Sequence, residues 1–221
     1  MKREIIITSD GSTTIHLPEW NEQYHSKHGA IQEAYHVFIK HGLDQLIDQH
    51  KIRILEIGFG TGLNCLITYL EGVNKNIQID YTGVEAYPVE LDEVQKLNYI
   101  SALKAKNYSD FFSDIHTLPW NISHKINTAF SLTKRKQFFS EIDDEEAYNL
   151  IYFDAFGARV QPELWTVDLF SKMYKALKTQ GILVTYSAKG SVRRAMVEVG
   201  FTVERLPGPP GKREMLRAVK T

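Results

Sequence analysis

The chain has 221 residues, 43% of them hydrophobic, enough for one domain with a substantial core. Lysine and arginine number 26 against 27 acidic residues, a formal net charge of -1, so overall charge does not mark a nucleic-acid binder. Cys65 is the only cysteine, which excludes an intrachain disulfide framework and a multi-cysteine metal site. No apolar run reaches the ~20 residues that span a bilayer, and residues 1–30 contain no continuous apolar stretch. A cytoplasmic protein with no membrane partner is expected.

Residues 1–16 read as a short strand or hairpin with Asp10-Gly11 at the turn. Pro18 to Gly29 is polar and aromatic-rich without a clear period. Ile31, Ala34, Tyr35, Phe38 and Ile39 recur at helical spacing, predicting a helix over Ala30–His41 that Gly42 stops. Arg53–Ile57 reads as a buried strand, Leu63–Leu70 as a helix that Gly72 terminates, and Ile77–Val84 as the next strand. A long amphipathic helix is expected from Pro88 to Leu103, with proline at its start. The region 108–146 is hardest to place; Phe130–Phe139 mixes apolar and basic residues and suggests an inserted strand pair. Tyr148–Phe153 is another strand, Pro162–Leu177 a helix, Gly181–Tyr186 a strand and Ser191–Val199 a helix. Strands at Phe201–Arg205 and Glu214–Val219 flank Pro207-Gly208-Pro209-Pro210-Gly211, an antiparallel finish. Strands alternating with helices predict an α/β, Rossmann-like fold with a mostly parallel sheet and an antiparallel C-terminal strand. A single domain over 1–221 is expected, with an N-terminal substrate/cofactor cap at about 1–45 and a possible insertion at about 108–146.

Gly58, Gly60 and Gly62 sit where a strand turns into a helix, letting a ligand approach backbone amides without meeting a Cβ. The helix N-terminus adds unpaired N–H donors. Glu85 ends the next strand, where a carboxylate can accept both ribose hydroxyls; this suits NAD and S-adenosylmethionine alike. Glu56 interrupts an apolar strand, and a buried charge needs a hydrogen bond or a cationic ligand. The ammonium or sulfonium of S-adenosylmethionine answers that need, which favours methyl transfer over hydride transfer. No phosphate-cradling G-x-x-x-x-G-K-[ST] loop occurs. Asp154, Phe156 and the Gly157 loop follow the strand Tyr148–Phe153 and are candidates to hold substrate at the ligand crevice. From Lys189 to Lys220 there are eight basic and three acidic residues. This is either ordinary solvated surface or an RNA-facing rim.

Pro18–Ala30 (PEWNEQYHSKHGA), Glu56–Asn64 (EIGFGTGLN), Asp154-Ala155-Phe156, Pro162-Glu163-Leu164-Trp165, Thr185–Arg194 and Gly211–Leu216 (GKREML) together resemble the methyltransferase portion of the bacterial MnmC family. The resemblance covers nearly the whole chain and is weakest between about 104 and 147. It implies S-adenosylmethionine-dependent methylation of 5-aminomethyl-(2-thio)uridine at the tRNA wobble position to the 5-methylaminomethyl product. No FAD, no FAD-dependent oxidoreductase domain and no metal are expected, and the oxidative step would belong to a separate tRNA-modifying enzyme.

The cofactor residues so implied are Glu56, Gly58, Phe59, Gly60, Gly62, Asn64, Glu85 and Asp154. The family commonly places a Gly-Asp pair at the adenine; here Glu141 or Asp143 is the nearest stand-in. Catalytic candidates are Asp154, Tyr24 and Glu22. Trp20, His25, Phe156 and Trp165 are candidates for the flipped base, and Arg193, Arg194, Lys212 and Arg213 for phosphates of the anticodon region. Glu22, His25 and His28 are spaced for a zinc site, but no H-E-x-x-H pattern or cysteine cluster supports one. Competing readings are a methyltransferase for another amine or small molecule, a noncatalytic RNA-binding module, and, more weakly, a NAD(P)-dependent oxidoreductase without its Tyr-x-x-x-Lys.

Overall fold

The structure, a computed structural model, describes residues 2–221. β1 (Glu4–Ile7) and β2 (Thr13–Leu17) form the expected hairpin, with Ile7 opposite Thr13 across the Asp10-Gly11 turn. β3 (Glu22–Gln23) adds a third antiparallel strand from the segment that showed no period. The next helix is α1 (Ala30–Ala34), continued as a π-helical turn over Tyr35–Lys40.

The principal sheet contains β4 (Lys51–Ile57), β5 (Gln78–Val84), β6 (Ser123–Lys125), β7 (Phe130–Arg135), β8 (Tyr148–Phe153), β9 (Leu177–Thr185), β10 (Phe201–Pro207) and β11 (Glu214–Lys220). Their order is β10-β11-β9-β8-β4-β5-β7-β6. The five strands from β9 to β7 are mutually parallel, while β11 runs antiparallel to both its neighbours. This is the Rossmann-like arrangement with an antiparallel C-terminal strand. Alternation along β4 and β8 divides the core: Ile52, Ile54, Leu150 and Tyr152 face one layer, and Leu55, Ile57, Ile151 and Phe153 the other. The first layer packs under α2 (Leu63–Lys75); the second packs against α6 (Val167–Ala176) and α7 (Gly190–Glu198).

Three local expectations are corrected. The helix expected over Pro88–Leu103 is two four-residue helices, α3 (Leu91–Val94) and α4 (Tyr99–Ala102). Asn98 separates them because the hairpin holds it: its Oδ1 accepts from Thr13 N at 2.8 Å and its Nδ2 donates to Gly11 O at 2.9 Å. Gly72 does not end α2, which runs three residues further; a Cβ there would stand 2.8 Å from Ile79 Cδ1, so the glycine lets the helix close on β5. The Pro162–Leu177 helix is broken at Thr166, whose hydroxyl caps α6 by accepting from Leu169 N.

The stretch 108–146 supplies α5 (Ser109–Thr117), the edge strand β6 and the internal strand β7, which pairs in parallel with β5. Phe130–Arg135 belongs to the sheet itself, with Phe130 and Leu132 buried in the layer below α2.

Candidate active site

β4 is the point where the strand order reverses, with β5 on one side and β8 on the other. A crevice opens beyond the carboxyl ends of strands at such a point. Here it is a cavity of about 1540 Å³, larger than the few hundred to ~1,000 Å³ of a small-molecule pocket, so two reactants fit side by side.

The glycine loop forms one wall. Gly58 N and Phe59 N donate to Val84 O, tying the loop to β5. Gly58 has φ +89°, and a Cβ on it would meet Asp154 O at 2.7 Å. Only glycine lets the two strand ends approach so closely. Glu85 turns back over the loop, accepting from Gly60 N at 3.1 Å and Tyr87 N at 2.9 Å. Burial raises its pKa above the usual carboxylate value, and these amides oppose the shift.

Below the loop, Glu56 shares the strand face of Ile52 and Ile54, so its carboxyl is carried under α2. It is 1% exposed, and burial pushes it well above the usual range, with the Asp154 and Glu85 charges adding to the rise. Asn64 bridges two carboxylates: its Nδ2 donates to Glu56 Oε1 at 3.0 Å and to Asp154 Oδ2 at 2.9 Å. Asn64 Oδ1 is buried without a partner, while the buried Tyr81 hydroxyl beside Glu56 opposes the rise of that carboxyl. Asp154 lies deep in the cavity. Burial raises it to about 7, Glu33 adds to the rise, and Asn64 and Lys212 oppose it. A carboxylate poised there can exchange a proton near neutral pH.

The N-terminal segment closes the opposite wall. Tyr24 meets Phe156 edge-on at 5.0 Å between centroids, and Trp20 meets Phe156 at 5.8 Å; all three line the cavity. Tyr24 is pushed up to about 12, chiefly by burial, so its phenol stays neutral. Trp165 does not line the cavity: its Nε1 donates to Phe156 O at 2.8 Å from behind, holding that loop. Glu22 lines the cavity and receives Arg159 at 3.2 Å; the same guanidinium nitrogen donates to Trp20 O and Asn21 O. His25 reaches the wall but its ring lies between Thr14 Oγ1 at 3.2 Å and Thr61 Oγ1 at 3.4 Å, and burial lowers it to about 4. It joins the cap to the glycine loop as a neutral imidazole.

Among the residues expected to meet phosphate, Lys212 lines the cavity and is engaged inward. Its Nζ binds Glu33 Oε2 at 2.7 Å and lies 3.7 Å from the centroid of the Tyr186 ring. Arg194 and Arg213 are exposed and Arg193 is half-buried; none lines the cavity. Gly62 is the left-handed N-cap of α2 and also lies outside the lining. Neither Glu141 nor Asp143 reaches the cavity: Glu141 caps its own turn by accepting from Phe138 N at 2.8 Å, and Asp143 is exposed. Phe138, Phe139 and Ser140 line it instead, with Phe138 edge-on to Tyr87 at 6.0 Å.

Sequence reading missed Glu33, Tyr186, Arg159 and the Tyr87–Phe138 pair. Glu33 carried a usable signal, a charge on the buried stripe of a helix; Arg159 carried none. Among the described residues no cluster of three or more His, Cys, Asp or Glu could hold a metal ion, and no helix is long and apolar enough to cross a membrane.

A family profile for S-adenosyl-L-methionine-dependent methyltransferases matches residues 95–221, more than half the chain. The chain is similar to the tRNA 5-methylaminomethyl-2-thiouridine biosynthesis bifunctional protein MnmC of Hydrogenovibrio crunogenus, with 26% identity over 209 residues, 89% of this chain and 31% of that protein. It spans about a third of the length of such MnmC relatives. The crystal structure of MNMC2 from Aquifex aeolicus superimposes with a TM-score of 0.79 at 26% identity, covering 100% of this chain and 70% of that one. Spermidine synthase from Thermotoga maritima shares the fold, with a TM-score of 0.60 at 12% identity, covering 99% of this chain and 69% of that one. The chain belongs to the S-adenosyl-L-methionine-dependent methyltransferase family.

Proposed function

We propose that the protein methylates the amine of 5-aminomethyl-(2-thio)uridine at the wobble position of tRNA, giving the 5-methylaminomethyl product. The observation that carries this reading is Asp154, a carboxylate poised near neutrality between the glycine loop and an aromatic wall.

The donor fits the first wall. The unpartnered Asn64 Oδ1, on the cavity lining, is an acceptor awaiting a donor such as an α-ammonium group. Glu85 offers its carboxylate to ribose hydroxyls, and Tyr87 and Phe138 offer apolar faces to a base. S-adenosylmethionine supplies a methyl group already activated on sulfonium.

The acceptor amine is protonated in water at neutral pH and has no free lone pair. Asp154 accepts one proton from it, leaving nitrogen nucleophilic; the new N–C bond forms as the C–S bond breaks. Trp20, Tyr24 and Phe156 offer stacking surfaces to an extruded uracil, and the cavity has room for the base beside the donor. Exposed Lys27 and Lys136 on the cavity lining, with Arg194 and Arg213 beyond it, supply positive charge for the anticodon backbone. The similarity to MnmC proteins supports tRNA as the acceptor.

The test is mass spectrometry of nucleosides from aminomethyl-containing tRNA incubated with protein and donor. The expected result is conversion to methylaminomethyluridine, with binding that weakens as salt rises. Tight binding of S-adenosylhomocysteine with no change in that nucleoside overturns the acceptor and leaves methylation of another amine.

A further inference from the structure

Lys212 and Glu33 come from opposite ends of the chain and meet on the lining of the cavity that holds Asp154. Lys212 sits on the turn between β10 and β11, and Glu33 on α1. Glu33 is only 5% exposed; its Oε1 accepts from Ser26 N at 3.0 Å while Oε2 binds Lys212 Nζ at 2.7 Å. The ammonium also rests on the ring of Tyr186, whose hydroxyl donates to Ala155 O at 2.8 Å, one residue from Asp154. Turn, helix and strand end are thus locked together by one cation. Lys212 is too engaged to reach for phosphate.

We propose that Lys212 and Glu33 form an ion pair that positions the proton on Asp154, each ion opposing the other's effect on that carboxylate. The pair therefore trims Asp154 for the acceptor amine. This rests on the methyltransferase reading above and assigns Lys212 a role inside the site rather than on its RNA-facing rim.

The electrostatic surroundings fix the signs. Asp154 faces Glu33 from α1, Lys212 from the β10–β11 turn, Asn64 from α2, Glu56 from β4, Tyr186 after β9 and, across the cavity, Glu22 from β3. Glu33 pushes the Asp154 carboxyl up and Lys212 pulls it down. Removing Lys212 alone exposes Asp154 to a bare buried carboxylate, so it protonates more readily. Removing the Glu33 charge alone leaves an unopposed cation, so Asp154 ionises more readily. Removing both returns the balance.

The test is the titration of Asp154 by carboxyl carbon-13 NMR, with the pH profile of single-turnover methylation beside it. Lys212→Met should move both midpoints upward from about 7, and Glu33→Gln should move both downward. The double variant Glu33→Gln/Lys212→Met should return close to the native midpoint, and Lys212→Arg should retain it. Across a series of salt concentrations, Lys212→Met should leave the salt slope of tRNA binding unchanged.

Shifts of the same sign in both single variants, or a double variant that adds losses instead of cancelling them, overturn the proposal. So does a Lys212→Met variant that lowers the salt slope by about one unit, the mark of a lost phosphate contact. If Lys212→Met does not fold, the downward shift expected of Glu33→Gln still decides, an upward or absent shift overturning the proposal. The NMR titration needs no acceptor, so failure of the tRNA assay with the native protein counts against the acceptor and not against the ion pair.

Discussion

The two walls of the cavity are built by different rules. The donor wall is local: Gly58, Gly60 and Asn64 lie within seven residues, with Glu56 buried beneath them, and a strand, a turn and a helix N-terminus place them. The acceptor wall is assembled from Trp20, Tyr24, Glu33, Asp154, Phe156, Tyr186 and Lys212, drawn from across the chain. Asn64 belongs to the first wall yet holds Asp154 of the second, and is the hinge between them. A local motif can be shared by many enzymes, whereas under the proposed function the assembled wall is where the acceptor is chosen.

Four substitutions test that division. Asp154→Asn should have the largest effect, lowering single-turnover methylation by ~10²–10⁴-fold while S-adenosylhomocysteine affinity by calorimetry changes only severalfold. Stability should move the other way. Asp154 stands at about 7 in the folded protein against 3.8 for the ordinary side chain, so the folded state binds the extra proton. Its stabilisation is complete below about 3.8 and is lost as pH rises through about 7. Melting curves should therefore coincide at pH 3.5, and Asp154→Asn should melt higher at pH 8. A native melting point that rises between pH 5 and 8 relative to the variant would contradict this sign.

Glu85→Gln comes next. It replaces the carboxylate offered to ribose, so donor affinity should fall about 10–100-fold with little change in the saturated rate. A loss confined to the saturated rate would move Glu85 from the donor wall to the acceptor wall. Gly58→Ala forces a Cβ to within 2.7 Å of Asp154 O at φ +89°. It should cost about 1–3 kcal/mol in chemical denaturation and damage both donor binding and turnover, because that glycine sits where the walls touch. Trp165→Phe is the smallest. It removes the bond to Phe156 O and should cost ~1 kcal/mol of stability, raising acceptor KM with donor affinity intact.

The same division explains what was legible in the sequence. The sheet strands and α2 follow from apolar runs bounded by glycine, and period-2 burial on β4 and β8 matches them. The split at Asn98 was hidden because its partners, Gly11 and Thr13, lie more than eighty residues away. Likewise Phe130–Arg135 reads poorly as a strand: Lys134 is fully buried, its Nζ lying over the Trp120 ring and donating to His116 O. Within the site, the glycine loop, Glu56 and Glu85 announce themselves by position along a strand and a turn. Glu33, Tyr186 and Arg159 do not, because their significance comes from chain segments that meet only in three dimensions. Trp165 and Lys212 were visible as residues, but their orientation was not: one supports from behind and the other points inward.

The position of β11 between β9 and β10 has a consequence for folding. As the chain is synthesised, β10 emerges before β11 but does not pair with β9, so it must wait for the strand that separates them. The turn that carries Lys212 lies between these two strands and is set only when both are in place. Insertion of β11 is therefore the step that completes the sheet and the acceptor wall together, a long-range pairing expected to be slow. Until then a nascent chain can hold the glycine loop in shape and still lack the cation over Asp154.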